Sequence, residues 1–109
     1  MKKTIYNKLV RDKIPAIIRR NGGMPTTFKL SSKRFIAELK KKFFEEGNEL
    51  MRAKNKTEIA EEISDVLEVL MALAAGEKIF WDAIERKRKE KREKRGGFGR
   101  KIFLKSVKE

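Results

Sequence analysis

Apolar residues recur at helical spacing in two long stretches of the chain. The first stripe consists of Ile36, Leu39, Phe43 and Leu50. The second, broader stripe consists of Ile59, Ile63, Val66, Leu67, Leu70 and Leu73. A residue suited to N-capping precedes each stretch: Ser31 or Ser32 before the first, and Asn55, with Glu58 in the capping-box position, before the second. The pattern therefore predicts two consecutive long helices joined by a short link.

A short helix and a charged helix are predicted on either side of this pair. Pro15 suits the start of the short helix, and Asn21-Gly22-Gly23 suits its end. The charged helix begins near Ile79, consists almost wholly of charged residues from Glu85 to Arg95, and stops at two glycines.

The ends of the chain carry a different pattern. Residues 24–30 and 98–107 alternate loosely between apolar and polar side chains, which predicts two short strands. The second long helix is apolar over more than half of its circumference, so it needs cover from its own chain and from a second copy. The predicted fold is mainly α: an antiparallel helical bundle with short β segments near its ends, forming a single domain over residues 1–109 and completed by dimerisation.

Composition narrows the available chemistry. The chain has no cysteine and no histidine, so carboxylates, lysines and arginines must carry any catalysis. The net charge of +13 indicates an anionic partner, either a nucleic acid or a small phosphorylated compound. Abundant Lys, Arg and Glu without Cys or Gln is typical of adaptation to high growth temperature. No membrane-length apolar run or signal-peptide core is present, so the protein is expected in the cytoplasm, away from membranes.

Two acidic pairs fall on the two long helices. Glu46 and Glu49 lie on the first helix, and Glu62 and Asp65 lie on the second. Residues one turn apart project in the same direction, so the pairs converge if the helices fold back on each other. Clustered carboxylates repel one another unless cations hold them, and oxygen ligands suit hard ions such as Mg²⁺. The four carboxylates predict a divalent-metal site, whereas a solvated acidic face would explain either pair alone.

The spacing of these pairs resembles the metal-binding motif of the all-α nucleoside triphosphate pyrophosphohydrolases, the MazG-like superfamily. Two further motifs, Tyr6-Asn7-Lys8-Leu9-Val10-Arg11-Asp12-Lys13-Ile14-Pro15 and Arg95-Gly96-Gly97-Phe98, resemble its phosphoribosyl-ATP pyrophosphohydrolase-like single-domain branch. The resemblance covers nearly the whole chain. It implies a helical domain that works as a homodimer or a higher homo-oligomer.

The resemblance also implies an activity and a cofactor. A nucleoside triphosphate, in a housecleaning role a non-standard one, would be hydrolysed between its α and β phosphates to a monophosphate and pyrophosphate. The catalytic site would consist of the ligands of Mg²⁺, or of Mn²⁺ as the alternative ion: Glu46, Glu49, Glu62 and Asp65. The metal would neutralise phosphate charge and activate the attacking water.

Residues in both end motifs are candidates for substrate binding. They are Lys8, Arg11 and Lys13 near the start, and Arg95, Gly96, Gly97 and Phe98 near the end. The first three either hold phosphates or solvate the edge of a segment. The Arg-Gly-Gly sequence is either an anion-binding turn or an ordinary glycine helix stop. The phenylalanine either stacks on a base or packs the tail.

Two other function classes stay open. A basic nucleic-acid-binding module would explain the charge of residues 86–95 but not the acidic pairs. An inactive helical assembly domain would result if Gly47 and Asn48, between the first two candidate ligands, loosened the helix there. Mg²⁺-dependent release of pyrophosphate distinguishes the enzyme from both.

Overall fold

A computed structural model describes residues 2–109, in which all regular structure is helical. The helices in this part of the chain are α1, Ile14–Arg20; α2, Ser32–Arg52; α3, Lys56–Gly76; and α4, Trp81–Arg95. The chain divides into two compact units, Met1–Lys78 with α1 to α3 and Ile79–Glu109 with α4. The predicted mainly α class is confirmed. The single domain over residues 1–109 stays a prediction.

α1 is a short helix with well-defined ends. Pro15 lies in its first turn, where a missing amide hydrogen costs nothing. Gly22 adopts a left-handed φ of 88°, which stops the helix and favours glycine. The amide of Gly23 donates a hydrogen bond to the carbonyl of Ile18 at 2.9 Å, so the turn after the helix is closed. The short helix predicted from Pro15 and the two glycines is confirmed.

Side-chain caps begin both long helices. The Ser31 hydroxyl accepts a hydrogen bond from the amide of Arg34 at 3.2 Å, and Asn55 Oδ1 accepts one from the amide of Glu58 at 2.9 Å. The Glu58 carboxylate accepts a further hydrogen bond from the amide of Lys54 at 2.8 Å. These contacts fix the short link between the helices, because they tie the residue before the α3 cap to the first turn of α3.

α2 and α3 pack as an antiparallel pair. A Cβ atom built on Gly76, at the end of α3, would lie 2.7 Å from Ile36 Cδ1 and 3.4 Å from the Phe35 ring, near the start of α2. The missing side chain therefore lets the helix ends approach closely. As a result, the second half of α2 lies beside the first half of α3, which is where the acidic pairs are located.

The pair buries little of its apolar surface. Among residues 2–109 only Leu39, Val69 and Ala74 are buried hydrophobic residues. The exposed face of α3, a continuous surface of large apolar side chains, consists of Ile59, Ile63, Leu67, Leu70 and Met71. Contiguous apolar surfaces of this kind are typical of sites that bind another molecule.

The second unit consists of α4 and a tail without regular structure. No residue of α4 is buried, and the helix has no side-chain N-cap. Arg88 and Glu85 form an ion pair at 2.9 Å along the helix surface. The helix ends at Gly96, whose φ of 81° is in the left-handed region that favours glycine.

The two predicted β segments are wrong. Neither residues 24–30 nor residues 98–107 contain a strand. Loose alternation describes which side chains face water, but an extended segment becomes a strand only when its backbone groups pair with a neighbour. The Phe28 ring is instead exposed, and the Arg34 guanidinium lies over it, 5.5 Å from the ring centroid.

Membrane insertion finds no support in the helices of residues 2–109. None of them combines the length and the hydropathy that crossing a bilayer requires.

Candidate metal centre

The carboxylates at this centre come from the facing turns of α2 and α3. Glu46 and Glu49 lie one turn apart on α2, and Glu62 and Asp65 lie one turn apart on α3. α2 continues without a break past Gly47, from Ser32 to Arg52. The helix is therefore not interrupted between its two candidate ligands.

Three of the four carboxylates converge. Glu46, Glu62 and Asp65 each offer one oxygen, and these oxygens lie within 4.8 Å of one another. All three residues are half-buried between the helices. Ligands at the Mg²⁺–oxygen distance can be at most about 4.2 Å apart, so small side-chain movements would bring these oxygens around one ion.

Glu49 lies beside this group and not within it. Its side chain lines an open depression of about 330 Å³ together with Glu62 and Arg52. The Glu49 carboxylate forms an ion pair with Arg52 at 3.5 Å, and 55% of its side chain is exposed. The structure thus places the fourth predicted ligand next to the converging three, on the side that opens to solvent.

Three of the four carboxylates also have a cationic partner within the chain. Arg11 Nη2 lies 2.8 Å from Asp65 Oδ1, and Lys42 Nζ lies 3.9 Å from Glu46 Oε1. With the Arg52 pair, these contacts balance part of the negative charge. Lys42 and Arg52 were not singled out in the sequence, although their spacing of one helical turn from Glu46 and Glu49 is a signal that could have identified them.

Glu62 is the exception. Its Oε2 atom is buried and has no hydrogen-bond partner among residues 2–109. Burial raises the pKa of the Glu62 carboxyl above its ordinary value, and the neighbouring carboxylates of Asp65, Glu46 and Glu49 raise it further. Ionisation of Glu62 is therefore unfavourable in free energy, and a bound cation would reduce this cost. The donor set, consisting of carboxylate oxygens with one unpartnered and buried, fits a hard divalent ion.

The other predicted residues of the first unit have different surroundings. Arg11 reaches the centre through Asp65. Lys8 is exposed, and its ammonium lies 5.8 Å from the centroid of the Tyr6 ring. Lys13 is exposed at the N-cap position of α1 and makes no side-chain cap hydrogen bond. Among these three basic residues, only Arg11 contacts a candidate ligand within the described part of the chain.

The remaining candidates belong to the second unit. Arg95 is the last residue of α4, and Gly96 and Gly97 follow it. Phe98 is 99% exposed in the described part of the chain. Packing of the tail and stacking on a base both stay predictions for this residue.

The fold and the site together define a class of protein: an all-α protein whose antiparallel helices bring paired carboxylates together. A family model described as phosphoribosyl-ATP pyrophosphohydrolase matches residues 15–92, and the chain belongs to that family. The matched region runs from the first turn of α1 into α4 and includes all four carboxylates. No match was found among curated proteins or among solved structures.

Family membership confirms the resemblance to the MazG-like all-α pyrophosphohydrolases. It implies a hydrolase that acts as a pyrophosphohydrolase on a nucleotide. Enzymes of this family typically depend on a divalent metal, and the acidic group between α2 and α3 is the matching feature of this chain.

Proposed function

We propose that the protein hydrolyses a nucleoside triphosphate, including non-standard ones, between the α and β phosphates, and that it uses Mg²⁺ to do so. The products are a nucleoside monophosphate and pyrophosphate. The observation that carries the proposal is Glu62, whose unpartnered buried oxygen lies within a group of carboxylates from both helices. Mn²⁺ is the alternative ion, since both accept the same oxygen donors.

Each acidic residue has a role in this proposal. Glu46, Glu62 and Asp65 would hold the ion between the helices, and Glu49 would complete the set from the edge of the depression. When bound, the ion would supply positive charge to the phosphates and lower the pKa of a water molecule. Lys42 and Arg52 restrain the α2 carboxylates in their rotamers. Water would add to the α phosphorus and pass a proton to one of these carboxylates, while the bond from the α phosphorus to the bridging oxygen breaks and that oxygen leaves with the pyrophosphate.

Substrate binding is proposed for the basic residues. Arg11, Lys8 and Lys13 lie on the segment that leads into α1, and they supply positive charge to the triphosphate. Arg95, Gly96, Gly97 and Phe98 are also proposed to contact the nucleotide, with Phe98 available for stacking because its ring is exposed. A cytoplasmic location and adaptation to high temperature remain predictions from composition.

A homodimer, or a higher homo-oligomer, completes the fold in this proposal. The exposed face of α3 includes Ile63 with 51% and Leu67 with 45% of their surface accessible. Two helices with so few buried residues form a poor core by themselves, because stability grows with the apolar area removed from water. A second copy of the same pair would bury this face and give a four-helix arrangement.

The deciding experiment measures pyrophosphate release from a panel of standard and modified nucleoside triphosphates with Mg²⁺. We expect Glu46→Gln and Asp65→Asn to lose release by about 100-fold or more, because each removes a proposed ligand. Glu45→Gln and Glu68→Gln are matched controls on the same helices and should keep the wild-type rate of pyrophosphate release. No release by the wild type, or equal loss in the controls, would contradict the proposed function.

Nucleic-acid binding is the second candidate, and the surface of α4 favours it. Four basic residues border a shallow depression of about 270 Å³ together with Glu90: Lys87, Lys91, Lys94 and Arg95. Such a face suits a phosphate backbone. Binding of single-stranded RNA that falls steeply with salt, and that Lys87→Gln with Lys91→Gln weakens, would support this candidate. Binding that is insensitive to salt and to these changes would exclude it.

A further inference from the structure

A hydrogen bond between two residues that are far apart in the sequence joins Arg11 to the candidate metal centre. Its Nη2 donates to Asp65 Oδ1 at 2.8 Å, across 54 positions of the chain. The other side-chain hydrogen bonds of residues 2–109 join residues at most 4 positions apart. The Arg11 contact therefore ties the segment before α1 to the acidic centre on α3.

The backbone around Arg11 delivers its side chain to this position. The Arg11 carbonyl accepts a hydrogen bond from the amide of Ile14 at 3.0 Å, in the turn that starts α1. Leu9 and Val10, the two preceding residues, are half-buried, whereas residues 2–8 are exposed. Arg11 thus extends from an anchored part of the segment.

The Arg11–Asp65 pair is open to solvent, since 57% of the Arg11 side chain and 38% of the Asp65 side chain are exposed. Exposed ion pairs contribute little to stability, so Arg11 can exchange Asp65 for another partner at little cost in free energy. Asp65 is also one of the three carboxylates that converge. A cation bound there and the Arg11 guanidinium would both use the Asp65 carboxylate. A guanidinium fits phosphate oxygens as well as it fits a carboxylate.

We propose that Arg11 is a positioning residue that exchanges partners during binding. It pairs with Asp65 while the centre has no metal and releases Asp65 when a divalent ion binds. It then contacts the phosphates of the substrate. The segment before α1 would thereby bind a triphosphate only after the metal centre has formed. This inference rests on the proposed function, because it takes Asp65 as a metal ligand and a triphosphate as the substrate.

Two binding measurements on the full chain test the exchange. The first is Mn²⁺ binding without nucleotide, followed by electron paramagnetic resonance. The second is binding of the Mn²⁺ complex of inorganic pyrophosphate at saturating Mn²⁺, followed by calorimetry. The variants are Arg11→Gln and Arg11→Lys, with Arg19→Gln as the matched control. Arg19 is exposed on α1 and makes no ion pair within residues 2–109.

The exchange predicts opposite effects on the two ligands. Arg11→Gln should bind Mn²⁺ about three- to fivefold more tightly, the size expected when competition from an exposed ion pair is removed. It should bind the pyrophosphate complex about fivefold or more weakly, because a charged phosphate contact is lost. Arg11→Lys should lie between Arg11→Gln and the wild type in both measurements, and Arg19→Gln should match the wild type.

Four outcomes would overturn the proposal. An unchanged Mn²⁺ affinity in Arg11→Gln would show that Arg11 does not compete for Asp65, and an unchanged pyrophosphate affinity would show that it does not reach the phosphates. Equal changes in Arg19→Gln would show a general effect of charge. If the wild type bound no Mn²⁺, the proposed metal centre would fail as well, so the two failures are distinguishable.

Discussion

The carboxylates of Glu46 and Glu62 come from different helices, yet each has an oxygen within 4.8 Å of the other. Glu46 has Lys42 as a partner at 3.9 Å, whereas the buried oxygen of Glu62 has none in the described residues. This asymmetry makes Glu62 the residue whose environment changes most when a cation arrives. The first two predictions follow from it.

Glu62→Gln should affect stability and binding in opposite directions. Without metal the variant should melt at a higher temperature than the wild type, because it removes a charge that burial and four neighbouring carboxylates disfavour. With Mg²⁺ it should lose the metal-induced rise in melting temperature that the wild type shows. Thermal unfolding with chelator and with Mg²⁺ measures both effects. A lower melting temperature for Glu62→Gln in chelator would contradict the electrostatic argument.

The stability of the metal-free protein should depend on pH through Glu62. Because the pKa of Glu62 is raised in the folded state, the folded protein binds this proton more tightly than the unfolded chain does. The free-energy cost of an ionised Glu62 in the folded protein is therefore fully present above the folded-state pKa. This cost is lost as the pH falls toward the unfolded-state pKa. As the pH falls from neutral toward the unfolded-state pKa of Glu62, the melting temperature of the wild type should rise relative to that of Glu62→Gln in chelator. A constant difference would show that Glu62 does not titrate as described.

Gly47→Ala should stabilise the protein. Gly47 lies in the middle of α2, and a Cβ atom built there meets nothing within 4 Å, so the chain itself does not require glycine at this position. The gain should be about 0.5–1 kcal/mol in the free energy of unfolding, the usual difference between the two residues within a helix. Urea unfolding measures it.

Gly76→Ala is the matched control for this change. Its new methyl group would come within 2.7 Å of Ile36 Cδ1, so the same substitution should stabilise less or destabilise. If Gly47→Ala reduced stability, something outside the chain, such as a partner copy, would have to occupy the space beside Gly47.

Charges on the exposed face of α3 should separate the proposed dimer. Ile63→Glu and Leu67→Glu each place a carboxylate on that face, where a second copy would have to bury it unpaired. Size-exclusion chromatography with light scattering should show a dimer for the wild type and a monomer for both variants. Ser64→Glu, an exposed change on the same helix, should stay dimeric. A monomeric wild type at micromolar concentration would exclude the dimer.

The sequence by itself determined the helices and the chemistry of the acidic centre. Helix boundaries are local properties: Asn55 caps α3 through the amide three residues on, and the left-handed Gly96 ends α4, so both are visible in a short window of residues. The pairing of Glu46 with Glu49 and of Glu62 with Asp65 follows from helical spacing in the same way.

Tertiary structure decided which side chains meet. The packing of α2 on α3 brings Glu62 and Asp65 to Glu46 and leaves Glu49 at the solvent edge. The path of the segment before α1 brings Arg11 to Asp65. The predicted strands failed for the same reason, since residues 24–30 and 98–107 lack the pairing that alternation alone cannot supply. Contacts between residues far apart in the chain depend on how helices pack, and spacing along the sequence does not encode that distance.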